Sequence, residues 1–250
     1  MTTDIHMHLG NSPNEVHDVN RDNLTEHVDT LISRMDLFAI EQAVLTPNEP
    51  HVQTGLYLRA AEIYPDRLHC ACSLTPRPMD KASEKLVDYI DKGCCALVLN
   101  SETYHPSDPA VRVLIHKAVN QDLPIFFRND NLTSEMVTFL DSITTVYQEG
   151  KFVVLNMGGL FGFPQLIPLI ARQNMWLELS STFIKLVESP LRVFLDALLQ
   201  DAKVTRLVFG SGYHSQYVDM MGALNLINLN IETQKLVMRE NAWRILGVKF

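Results

Sequence analysis

Two histidines stand two residues apart near the start of the chain, in the run Thr3-Asp4-Ile5-His6-Met7-His8-Leu9-Gly10. Side chains alternate between faces along a strand, so His6 and His8 point the same way, about 7 Å apart. Neutral imidazoles at that spacing suit a shared divalent metal, zinc first. They are also the side chains that move protons near neutral pH. The competing reading is a strand whose histidines face solvent or sit in a core. Arg128 closes the apolar run Ile125-Phe126-Phe127, where an unpaired charge would be costly. It therefore reads either as a group that holds an anion or as half of a structural ion pair.

These residues need a scaffold, and the rest of the sequence supplies one in regular alternation. Short apolar runs at 43–46, 69–74, 95–100, 124–128, 152–156, 175–180 and 207–210 follow the first strand. Helical patterns separate them, at 24–35, 53–64, 80–92, 109–120, 134–147, 164–172 and in the stripe Leu191, Phe194, Leu195, Leu198 after Ser189-Pro190. Two more, near 215–229 and 233–246, finish the chain. Asn23 with Glu26 has the form of a capping box, Gly93 stands where a helix should stop, and Pro109 suits a first helical turn. Continuous apolar strands alternating with helices are the mark of parallel strands covered on both faces. Eight of them favour a closed (β/α)8 TIM-type barrel, an α/β fold, over a doubly wound sheet. Residues 1–250 read as one domain, without repeat or linker.

In such a barrel chemistry gathers where strands end. The strand ends collect His6 and His8, then Asn100 with Glu102 and His105 just beyond, Arg128, Asn156, Ser180 and Ser181, and the run Phe209-Gly210-Ser211-Gly212-Tyr213-His214. His6, His8 and His214 are the candidate proton carriers. Arg128, Asn156, Asn100, His105 and Ser180 are the candidate substrate-binding residues.

Composition excludes several classes. The chain is 250 residues long, 46% hydrophobic and 20% charged, with a net charge of −8 and a pI near 5.5. It has no Lys/Arg run, so neither nucleic acid nor an anionic membrane is an expected partner. It has no apolar stretch of membrane-span length. The start MTTDIHMH lacks a basic end and an apolar signal core, which reads as an unprocessed cytoplasmic protein. The four cysteines, Cys70, Cys72, Cys94 and Cys95, lack zinc-ribbon spacing and read as reduced core thiols. The sequon Asn131-Leu132-Thr133 carries no meaning in a cytosolic protein. Gly158-Gly159 reads as a tight strand-to-helix turn rather than an anion cradle. The Met- and Leu-rich late helices are where a homo-oligomer interface is expected.

Asp4-Ile5-His6-Met7-His8 resembles the first strand of the amidohydrolase-related family, in the branch of aminocarboxymuconate semialdehyde decarboxylase and related small hydrolases. Five further segments resemble that family in order: Gly93 to Leu99, Leu123 to Arg128, Val153 to Gly159, Leu207 to His214, and Asn241 to Gly247. The resemblance implies a (β/α)8 barrel holding a divalent metal by the first-strand histidines, a histidine ending strand five or six, and an aspartate on strand eight. Here Arg128, Asn156 and Gly212 stand at those other positions, and only His6 and His8 match. Glu102 or Glu178 could substitute as ligands, and Glu178 shares the face of Ser180 one layer deeper. The expected cofactor is therefore none, or one weakly bound divalent cation, with zinc the first choice.

Three readings follow. The first is an amidohydrolase-like hydrolase or carbon–carbon lyase acting on a small carboxylated substrate with a reduced or absent metal site. The second is a catalytically inactive barrel that binds a small anionic ligand or serves as a complex subunit. The third is an ordinary metalloenzyme with ligands recruited from Glu102, His105, Glu178 or His214.

Overall fold

The structure, a computed structural model, describes residues 2–129, 132–201, 205–227 and 229–247. Strands β1 (Thr2–Met7), β2 (Ile40–Leu45) and β3 (Leu68–Cys70) form one parallel sheet. A second parallel sheet runs through β4 (Cys72–Ser73), β5 (Leu97–Asn100), β6 (Ile125–Arg128), β7 (Phe152–Val154), β8 (Met175–Glu178) and β9 (Leu207–Val208). The two sheets adjoin at both ends. β3 and β4 are halves of one strand interrupted at Ala71, where Cys70 O accepts from Cys95 N at 2.9 Å and Cys72 N donates to Ala96 O at 2.8 Å. At the other end Ile5 N donates to Phe209 O at 3.1 Å, and Gly212 exchanges backbone bonds of 2.8 Å with His6 and His8. The fold is the α/β, (β/α)8-type barrel that the alternation implied.

Two-residue periodicity builds the interior. Ile5, Val44, Val98, Phe126, Val153, Trp176 and Val208 cluster inside the ring, with Ala242 and Ile245 of the last helix (α11, Asn241–Leu246) against them. Two residues further along the same faces, Val98 gives way to Asn100, Phe126 to Arg128, Trp176 to Glu178 and Val208 to Gly210. Each of these four inner hydrophobes thus has a polar residue or a glycine one layer above it. The intervening residues, such as Leu99, Phe127, Val154 and Leu177, turn outward into the larger core shared with the helices.

Several local expectations hold. Helix α4 (Pro109–Asn120) starts on its proline with Asp108 accepting from Ala110 N, and α3 (Met79–Asp91) is followed by Gly93 at φ +87°. Others do not. Asn23 forms no capping box on α1 (Leu24–Leu37), because its side chain is taken by the preceding loop: Oδ1 accepts from Asn20 N and Nδ2 donates to Asp18 O. Ser180 does not end a strand; it opens helix α7 (Ser180–Val187), whose buried stripe Thr182, Phe183, Leu186 and Val187 the sequence reading passed over. The following helix (α8, Arg192–Asp201) buries Leu195, while the side chain of Leu198 lies outside the described ones. Asn131 of the sequon lies outside the described residues. The expected helix 233–246 is α10 (Ile231–Lys235), a π-turn at Leu236–Glu240, and α11. Loosening the turn frees the Val237 carbonyl, which accepts from Phe209 N at 2.9 Å. Among the described residues no helix is long and apolar enough to cross a membrane.

Candidate functional site

The carboxyl ends of the strands enclose a cavity of about 180 Å³ lined by His6, His8, Arg128, Asn156, Ser180 and Tyr213, among others. Simple alternation puts His6 and His8 on one face but does not explain how His6 reaches the cavity directly after Ile5 enters the core. Asp4 stands opposite Ala43 and Met7 opposite Leu45, so β1 carries one residue more than β2 across that step. This β-bulge turns Ile5 into the barrel core while the next residue, His6, still faces the cavity. The ring centroids of His6 and His8 are 5.1 Å apart, closer than ideal strand spacing, and their Nε2 atoms are 3.3 Å apart.

Behind His6 lies a carboxylate that the sequence placed only as a possible ligand or a structural group. Glu178 is fully buried and accepts from His6 Nδ1 at 2.8 Å, from Asn156 N at 2.7 Å and from the Ser180 hydroxyl. The Ser180 oxygen is also 3.0 Å from His6 Nδ1. A carboxylate on Nδ1 places a proton there and leaves Nε2 as the nitrogen that faces the cavity. Space for this carboxylate comes from the neighbouring strand end: a Cβ on Gly210 would lie 2.2 Å from Glu178 Oε1. Three residues around it adopt left-handed backbone angles, Asn156 at φ +51°, Met157 at φ +52° and Ser180 at φ +38°. Such conformations cost about 1–3 kcal/mol each and persist where the surroundings impose them. Here they aim the Asn156 N–H at Glu178 and let Asn156 Oδ1 accept from Thr182 N at the start of α7. That is why the sixth strand stops at Val154 rather than at Asn156.

Arg128 Nη1 donates to His8 Nε2 at 3.2 Å. Burial first, then His6 and Arg128, hold the His8 imidazole well below its ordinary range, so His8 is a neutral acceptor. Among the described residues Arg128 forms no ion pair. Beneath the bulge Asp4 accepts from His6 N at 3.0 Å and from Ser211 Oγ at 2.6 Å. Burial outweighs those hydrogen bonds and pushes its carboxyl up to about 7.

The strand ends do not all converge on one cavity. Asn100 and His105 line a separate, neighbouring cavity of about 300 Å³, with Glu102 and Glu135. Asn100 there donates to Asn48 Oδ1 and accepts from Glu102 N, and His105 sits 3.3 Å from Glu135 at the surface. His214 is buried but does not line the His6 cavity. Burial and then Arg34 push it down to about 4, and the other groups acting on it are Glu15 and His27. The side chain from that stretch that does reach the cavity is Tyr213, whose ring lies 5.2 Å from His8. Strand position marks Glu178 as a candidate through the face it shares with Ser180; the further signal is Gly210, since a glycine near the end of an apolar strand marks the close approach of another group.

A metal ion fits this donor set poorly. Two Nε2 atoms 3.3 Å apart match a pair of tetrahedral zinc ligands, whose spacing follows from bonds of about 2.0–2.1 Å. Among the described residues, however, no third ligand joins them. Asn156 Oδ1 already accepts from Ser181 Oγ and Thr182 N, Gly212 has no side chain, and a guanidinium donates to His8 Nε2. Among the described residues no three His, Cys, Asp or Glu side chains are grouped so as to hold an ion.

No protein-family model matches the chain, and no curated protein matches it. Solved structures do. A probable 2-pyrone-4,6-dicarboxylic acid hydrolase from Acinetobacter baumannii, with citric acid bound, superposes with a TM-score of 0.72 at 18% identity, covering 99% of each chain. A TIM-barrel protein from Bordetella bronchiseptica reaches 0.78 at 15% identity over 98% of each chain. A dihydroxybenzoic acid decarboxylase from Polaromonas sp. JS666, with manganese and the inhibitor 2-nitroresorcinol bound, reaches 0.72 at 13% identity over 98% of this chain and 96% of that one. At such identities the likeness establishes the barrel and nothing finer.

Proposed function

We propose that the chain is an amidohydrolase-like hydrolase or carbon–carbon lyase for a small carboxylated substrate, working with a metal site that is reduced or absent. The observation that carries this reading is the Arg128 guanidinium seated on His8 Nε2, a cationic donor where a metalloenzyme of this fold would hold its ion. Arg128 pairs with the substrate carboxylate, a geometry guanidinium groups match bidentately. His8, neutral and relieved of that donor, accepts a proton at Nε2. His6 moves a proton at its own Nε2, while Glu178 on Nδ1 fixes the ring and its tautomer. The names of the similar structures support the substrate class: one is a dicarboxylic acid hydrolase with citric acid bound and another decarboxylates a hydroxybenzoic acid. A divalent cation, if one binds, is held weakly through His6 and His8.

The test is calorimetric titration of the protein with citrate and with 2,6-dihydroxybenzoate, alongside Arg128→Gln, followed by product analysis. Loss of one charge-assisted hydrogen bond of about 1.5–3 kcal/mol predicts binding weakened at least tenfold in the variant. Equal binding by both proteins would sink the reading. Metal analysis after zinc or manganese supplementation should find well below one ion per chain, and stoichiometric metal restores the metalloenzyme. The inactive-barrel reading is favoured by Gly212, which leaves strand eight without a side chain to act as base. Arg128-dependent binding with no turnover of any small lactone, amide or carboxylic acid would establish it.

A further inference from the structure

The loops after β1 and β2 enclose another cavity, of about 370 Å³, away from His6 and His8. Four of its lining side chains are Arg21, Arg59, His17 and His51, and no carboxylate lines it. In a chain of net charge −8 that composition is unexpected. The acids of the same loop, Glu15, Asp18 and Asp22, all face elsewhere. Among the described residues neither guanidinium has an ion pair or hydrogen bond to satisfy it. The imidazoles of His17 and His51 stand edge to face with centroids 6.0 Å apart, one from each loop. The floor is apolar and well ordered by burial: Val16 and Val52 are 6% and 4% exposed. Helix α2 (Thr54–Ile63) begins beside the cavity, but its first amide is already used, Thr54 N donating to Glu49 Oε1 at 3.2 Å. The basic side chains, and not the helix end, therefore make the site.

We propose that this cavity is a second anion site, independent of the Arg128 cavity, that takes a small dianion such as a phosphate group or the paired carboxylates of a polycarboxylic acid. Two uncommitted guanidinium groups present planar forks of N–H donors suited to such oxyanions, and Gln53 adds a side-chain amide. The two imidazoles supply further donors among the lining groups. The apolar floor limits the depth to which the ligand's charge enters, so the ligand sits between the loops with its oxygens on the arginines.

The experiment titrates the full-length chain with pyrophosphate and, separately, with citrate, by calorimetry and by NMR of the arginine Nε–H resonances. It compares the unaltered protein with Arg21→Gln/Arg59→Gln, Arg128→Gln, and the charge-matched control Lys81→Gln/Lys85→Gln on the exposed face of α3. The double arginine variant is expected to weaken dianion binding at least tenfold, since two charge-assisted contacts are lost. Arg128→Gln and the lysine control are expected to leave that binding event within about twofold. A tighter constant for pyrophosphate identifies a phosphoryl site and a tighter one for citrate a polycarboxylate site. Retention in the double variant of the binding event that Arg128→Gln leaves intact, or its equal fall in the lysine control, overturns the proposal, as does the absence of such an event with either anion. Failure of the Arg128 reading leaves this outcome untouched, because the two sites lose binding in different variants.

Discussion

Arg128 enters its cavity from the end of a barrel strand, whereas Arg21 and Arg59 enter theirs from a loop and a helix flank. The first is half-buried, fixed on the register of β5, β6 and β7, and bonded to His8. The others are exposed and uncommitted. A positive charge held on a strand has its geometry set by the sheet register, and it meets a histidine held on the first strand. A charge on a loop needs no such support and is correspondingly less specific.

The largest effect expected from breaking this contrast is at Glu178. Glu178→Ala takes the acceptor from three donors, two of them buried, at roughly 1–3 kcal/mol for each unsatisfied buried group, and should lower the melting temperature by many degrees while abolishing any turnover. Gly210→Ala should reproduce much of that loss through overpacking of about 1–3 kcal/mol, because its new methyl meets Glu178 Oε1 at 2.2 Å. A Gly210→Ala protein as stable as the original would show that the carboxylate is not locked in place.

Next in size is a pH effect at Asp4. Its native pKa, about 7, lies above the ordinary 3.8, so the native state keeps a proton that the unfolded chain gives up. The stability it contributes is complete below about pH 4 and is lost as pH rises through about 7. Denaturant unfolding of Asp4→Asn should show a flatter profile across that window, and an unchanged slope would refute the burial argument.

A smaller effect separates the two arginine sites by ionic strength. Raising salt from about 0.05 to 0.5 M shortens the Debye length severalfold and should weaken dianion binding at the loop cavity more than carboxylate binding at Arg128. Equal sensitivity would mean that Arg128 is as solvent-screened as the loop arginines. Smallest of all, His214→Phe should alter anion binding and any turnover less than twofold, since the imidazole does not line the cavity. A tenfold loss would return His214 to the candidate proton carriers.

Much of this architecture was readable from residues alone. The apolar runs that become β5, β6 and β8 announced themselves, and with them the places where Asn100, Arg128 and Glu178 leave the core. What the runs could not show is which strand ends share a cavity. Asn100 and His105 turn to a neighbouring one because Asn48 and Glu135 hold them there. His6 follows Ile5 onto the inner face through an extra residue in β1, and no local pattern at Ile5 signals that bulge. The partnership of His6 with Glu178 spans 172 residues and depends on a missing side chain at Gly210, a long-range fit that periodicity does not encode. Ser180 lines the cavity from the start of a helix rather than from a strand end, because its positive φ lets the helix begin almost immediately after the strand.

The loop between β1 and α1 is a wall with two sides: Pro13 lines the His6 cavity, and Val16, His17 and Arg21 line the other. It is folded on itself by Val16 N to Ser12 O and Asn11 N to Glu15, so its two sides are parts of one small body. Any ligand that shifts this body alters both compartments at once. Thermodynamic reciprocity then fixes the bookkeeping: the factor by which one occupant changes its neighbour's affinity is the factor by which it is itself changed in return.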